Sequence, residues 1–78
     1  MPTVLYDGPF AFIFFSSDTG EPPHIHVKRD ESIAKYWLQT VRLAKNRGFA
    51  PHDLRRIQRT VVKHRETLPR AWHEYFGA

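Results

Sequence analysis

With 78 residues the chain has room for one domain, spanning 1–78, and its 41% hydrophobic and 14% aromatic content supplies a core, which excludes a second domain and a disordered chain. The absence of cysteine removes disulfides, thiolate catalysis and cysteine zinc sites together, and it fits a reducing cytoplasm. The formal charge of +4 is unevenly spread: residues 1–41 hold three Lys/Arg against five Asp/Glu, whereas residues 42–78 hold nine against three, so the second half attracts nucleic acid or an acidic protein through salt-sensitive forces.

Met1, Pro2 and Thr3 open the chain without a basic and apolar leader, and the most apolar run, residues 10–15, is far too short to cross a bilayer. The expectation is a cytoplasmic protein that does not enter the membrane.

Taken in order, Thr3 to Tyr6 reads as a short strand, and Asp7-Gly8 is a turn signal because both residues tolerate positive φ, with Pro9 admissible at the start of the next strand. That strand, Phe10 to Phe15, is apolar on both faces, with Phe10, Phe12 and Phe14 on one and Ala11, Ile13 and Phe15 on the other, and so belongs inside a sheet. A polar loop follows at residues 16–21. Pro22 and Pro23 then stiffen the approach to His24-Ile25-His26-Val27 and withhold two backbone donors, which suggests that this strand starts at an edge. Arg29-Asp30-Glu31 reads as a tight connection into Ser32 to Leu38, where Ile33, Tyr36 and Trp37 favour β structure. Val41 to Ala44 suits a further strand or a helical turn, ended by Asn46-Arg47-Gly48.

Pro51 belongs in the first turn of a helix, and Leu54, Ile57, Val61, Leu68, Trp72 and Tyr75 keep apolar side chains on one helical face. Pro69 lacks a donor and clashes with the preceding turn, so a break is expected near residues 66–68, with Thr67 capping a second helix. The fold class is therefore α+β: a small antiparallel sheet from the N-terminal half with two C-terminal helices packed on one face.

The strand period of two throws His24 and His26 to one side while Ile25 and Val27 point to the other. Two adjacent imidazoles serve acid/base chemistry, phosphate contact or half of a metal site, and the sequence leaves these open. Metal binding needs a third ligand, for which His64, His73, Glu21, Asp30 or Glu74 would have to approach; no metal or other cofactor is assigned. Cleavage of RNA needs a base, an acid and a cation, and His24, His26 and Lys35 are the candidate catalytic set, with Lys28 on the same strand face and Arg29 on the opposite parity. An ordinary polar strand face would carry the same residues. On the first helix Arg55, Arg59 and Lys63 recur every four residues, a mutually repelling stripe that a phosphate or carboxylate partner would neutralise. Trp72, Tyr75 and Phe76 are at core spacing and read as packing residues. Arg42, Lys45 and Arg47 read as a basic loop without a phosphate-binding motif.

The elements Glu21-Pro22-Pro23-His24-Ile25-His26-Val27, Ala34-Lys35-Tyr36-Trp37-Leu38, Asn46-Arg47-Gly48-Phe49 and Trp72-His73-Glu74-Tyr75-Phe76, in this order, resemble a family of short bacterial proteins classed as a domain of unknown function. That family resembles the toxin half of type II toxin–antitoxin pairs, the DhiT-like toxins, whose members are often encoded beside a second small domain. The resemblance implies a small antitoxin-like protein partner and action on RNA or translation, and its motif covers His24, His26, Lys35, Tyr36, Trp37, Asn46 and Gly48 without assigning them catalytic roles. The chain departs from the family's usual run at Ala50, where a capping Ser is commoner, and at Pro69, where a helix former is usual. A non-catalytic module that binds a small protein, RNA or DNA is the alternative.

Overall fold

The computed structural model describes residues 3–77, the side chain of Asp18 excepted; Met1 and Pro2, on which the leader expectation partly rests, lie outside the described residues. Five strands, β1 (Thr3–Asp7), β2 (Phe10–Ile13), β3 (His24–Arg29), β4 (Ser32–Trp37) and β5 (Arg42–Arg47), precede two helices, α1 (Pro51–Lys63) and α2 (Thr67–Phe76). The strands pair in chain order, each antiparallel to the next, so β1 and β5 are the sheet edges and β3 is its centre. The α+β architecture read from the sequence is the one observed.

Tight connections explain the simple order. Gly8 takes φ +56° in the two-residue turn between Asp7 and Phe10, a conformation that costs a residue without Cβ little. Asp30 takes φ 54° in the equally short turn between Arg29 and Ser32, where an Asp side chain tolerates the left-handed region. Val41 holds φ 52° just before β5, an uncommon state for a β-branched residue. It ends the loop so that Arg42 pairs with Trp37.

Alternation divides the sheet into two faces. Phe10 and Phe12 of β2, Ile25 and Val27 of β3, and Ala34 and Tyr36 of β4 are buried against Ile57 and Val61 of α1 and Leu68 and Trp72 of α2, with Phe14, Leu38 and Phe49 closing the same core. Each fully buried aliphatic or aromatic side chain contributes about 1.5–3 kcal/mol by leaving water. Tyr36 also donates its hydroxyl to the Leu54 carbonyl at 3.1 Å, tying the sheet to α1. Burial raises its pKa above the usual tyrosine value.

Several local expectations change. The histidine strand does not begin at an edge: β3 is paired on both sides, and Pro22 and Pro23 precede it, so their missing donors leave no gap in the ladder, while the Pro23 carbonyl accepts the Leu38 amide at 3.0 Å. β2 stops at Ile13, and Phe14 and Phe15 open the connection that continues as a 3-10 turn at Ser16–Gly20. The segment near Val41 is a six-residue strand that includes Asn46 and Arg47. The helix break falls at residues 64–66, with Glu66 in the capping position and Thr67 already helical. Pro69 thereby occupies the first turn of α2, where its missing N–H is unused. Tyr75 is 42% exposed although its ring stacks on Phe14 at 6.0 Å. No helix among the described residues is long and apolar enough to cross a membrane.

Candidate functional site

The second face of the sheet carries no helix. Cross-strand pairing arranges its side chains in rows: Tyr6, Ala11, Lys28, Ile33 and Arg47 form one, Ile13, His26, Lys35 and Lys45 the next, and His24, Trp37 and Arg42 the third. Residues in adjacent strands of one row stand close enough to interact, so Lys28, Lys35, Arg42, Lys45 and Arg47 form a cationic field on one surface. Tyr6, 73% exposed, and the partly exposed Trp37 add aromatic rings to it.

A groove of about 760 Å³ runs along this face, lined by Phe15, His26, Lys35, Lys45 and Arg47, with Glu21 at its rim. The Phe15 ring stands edge-on to His26 at 4.3 Å. Lys35 donates from Nζ to Glu21 Oε1, and the same ammonium lies 4.6 Å from the Trp37 ring centroid, within cation–π range. The floor of the groove is thus a polar strand pair, and its wall is the connection that follows β2.

The two histidines part company in burial. His24 is 0% exposed, its ring set among Trp37 at 5.6 Å, Trp72 at 5.1 Å and His26 at 5.1 Å. Its Nδ1 lies 2.9 Å from the Pro22 carbonyl, and because a carbonyl only accepts, Nδ1 is the protonated nitrogen. Proton exchange with a substrate needs access, so this ring is placed to support its neighbours. His26 remains partly exposed and faces Lys35 across the ladder. The expected parity therefore holds for Ile25, Val27 and His26, while α2 closes over His24.

The remaining candidates spread over the molecule. Lys28 is exposed on the open face with Lys35. Arg55, Arg59 and Lys63 line a separate shallow groove on α1, well away from the histidines in the fold. Arg29 points to the helix side, where its guanidinium forms a two-pronged contact with Asp53 at 3.2 Å and covers the rings of Phe10 and Phe49 at 5.2 and 5.5 Å. Burial pushes the Asp53 carboxyl up, but the hydrogen bonds and charge of Arg29, with His52 and the Ala50 backbone helping, bring it below its usual value. Among the described residues no group of three or more His, Cys, Asp or Glu side chains comes together in a way that could hold a metal ion.

Arg42, Lys45 and Arg47 are the functional candidates that sequence reading undervalued. They look like a loop because Arg42-Leu43-Ala44-Lys45-Asn46-Arg47 has little β-forming composition, yet Arg42, Lys45 and Arg47 share the open face. A bulge between Lys35 and Tyr36 in the β4–β5 pairing permits this by shifting the register within the strand. The available signal was the cation spacing of two at Lys45 and Arg47. Asn46, turned the other way, donates to the Phe49 carbonyl and accepts the Phe49 amide, both at 3.1 Å, and so shapes the turn into α1.

An antiparallel five-stranded meander with helices on one side and an open basic surface on the other defines a small, open-faced α+β domain. Residues 10–73, from the start of β2 well into α2, match the family described as domain of unknown function DUF4160. The chain belongs to that family. No curated protein and no solved structure matches the chain.

Proposed function

We propose that this protein is a module for single-stranded nucleic acid, RNA in the first instance, which it binds on the open face of its sheet. The observation that carries the reading is the coincidence there of Lys28, Arg42, Lys45 and Arg47 with the rings of Tyr6, Phe15 and Trp37, on a surface without a helix. Single strands are held by cations that follow the phosphates and by aromatic rings on which bases stack. His26 and Lys35, directly opposite each other in the ladder, would contact a phosphate at the groove floor.

A second reading adds chemistry to binding. A DhiT-like toxin of a type II pair, neutralised by a small antitoxin-like protein, would use His26 for proton transfer and Lys35 as the cation beside it, and the observation favouring it is that these two groups share one groove. In this reading His24 is a positioning residue.

Fluorescence anisotropy with a labelled single-stranded RNA across a salt series tests the first reading. Replacing Lys28, Lys45 and Arg47 by Gln should lower the slope of log affinity against log salt by roughly two units, at about 0.7 per phosphate contact. No binding at low salt, or an unchanged slope, rejects it. Incubation of purified protein with total RNA, with and without chelator, and induced expression in a bacterial host test the second. Intact RNA and normal growth leave binding without cleavage.

A further inference from the structure

The domain has a second basic surface on its opposite layer. On α1, Arg55, Arg59 and Lys63 form one row at spacing four, Gln58 and Val62 form the adjacent row, and a shallow groove of about 590 Å³ lies along these residues. All five are exposed, Val62 to 40%. The neighbouring Arg56 is occupied by the fold, since it lies 3.6 Å from Asp7 and 5.3 Å from the Phe10 ring. Among the described residues no carboxylate forms an ion pair with Arg55, Arg59 or Lys63.

We infer that this groove is a docking site for an acidic amphipathic helix of a partner protein. Rows at spacing four are the ridges of a helix surface, and the groove between two such ridges accepts a ridge from a second helix. Val62 and the stem of Gln58 offer the apolar strip that such a contact buries, while three cations over about 12 Å select Asp or Glu at matching intervals of four. Like charges repel along the bare stripe, and an acidic partner relieves that repulsion. A single-stranded nucleic acid fits less well, because no aromatic ring lines the groove to take a base. A second copy of this chain fits worst, because it would bring one cationic stripe against another. The sheet face and this helix face lie on opposite layers, so nucleic acid and a protein partner can be held together.

The probe is a stapled helical peptide with Glu at three positions spaced by four and Leu on the adjacent row, followed by amide chemical shifts of the labelled protein. Binding that moves Arg55, Gln58, Arg59, Val62 and Lys63 while leaving Lys45 and Arg47 still supports the site. Replacing Arg55, Arg59 and Lys63 by Glu should weaken the peptide about tenfold or more, and a peptide with Lys for Glu should recover binding to that variant. Shifts confined to another surface, absence of binding at low salt, or failure of the charge-swapped pair overturns the inference. Single-stranded RNA added to the same sample provides a separate control. Should it move the α1 residues in place of the peptide, the groove belongs to nucleic acid; should it move only the sheet residues, the two sites stand independently.

Discussion

His24→Ala separates a supporting ring from a reacting one. The side chain is wholly buried among Trp37, Trp72 and His26 and donates to the Pro22 carbonyl. Truncation removes a ring's packing and leaves a cavity, which for buried residues of this size costs about 2–4 kcal/mol, and the lost hydrogen bond adds about 0.5–1.5 kcal/mol. A 78-residue domain has about 4–12 kcal/mol of stability in all, so the variant should keep its fold only narrowly. At about 4–8 °C per kcal/mol for a domain of this size, a loss near 3 kcal/mol lowers Tm by about 12–24 °C. Circular dichroism melts of the parent, His24→Ala, Trp72→Ala and the double variant read this directly. The two losses should be non-additive, because each residue packs on the other. A His24→Ala protein that melts within about 4 °C of the parent while losing RNA cleavage or growth inhibition would refute the supporting role and restore His24 to the chemistry.

Gly48 holds φ +99°, and a Cβ there would lie 2.6 Å from Ser32 Oγ and 3.3 Å from the Ser32 Cα, so Gly48→Ala should cost about 1–3 kcal/mol in chemical denaturation. Adding Ser32→Gly should recover only the steric part. Glu21→Gln releases Lys35 from its carboxylate partner and should raise RNA affinity a few-fold at low salt, as read by anisotropy; equal or weaker binding removes Lys35 from the phosphate path. Asp7 is held below its usual pKa first by the Thr60 hydroxyl and then by the charge of Arg56, and Asp53 is lowered by Arg29 against its burial, so both carboxylates bind protons more readily in the unfolded chain. Their contribution is present above the ordinary carboxylate pKa near 3.8 and is lost as pH falls through the lower folded values. Urea midpoints measured between pH 5 and 2 should fall less steeply for Asp7→Asn and Asp53→Asn than for the parent.

Strands and helices were legible where a single local rule governed them. The period of two in His24 to Val27, the Asp7-Gly8 turn and the apolar face of Ile57, Val61, Leu68 and Trp72 all follow from side-chain spacing. What spacing omits is closure by distant elements. His24 has the parity of an open-face residue, and only the placement of Trp72, nearly fifty residues later, makes it a core residue. The pairing of His26 with Lys35 needed the turn geometry of Asp30, since a slip of one residue reverses the faces. β5 escaped because a bulge and the left-handed Val41 set its register, and neither has a compositional signature.

The sheet ends in two unlike edges. An edge strand presents unpaired backbone groups to any other chain, and self-pairing there is the route by which sheets from separate molecules fuse. Two copies meeting along β5 would set Arg42, Lys45 and Arg47 against their own kind, while β1 is bent by an irregularity between Thr3 and Leu5 that spoils its straight template. The cations offered to a ligand therefore also oppose aggregation, so a variant that strips them to weaken binding should be watched for fibrils as well as for lost affinity.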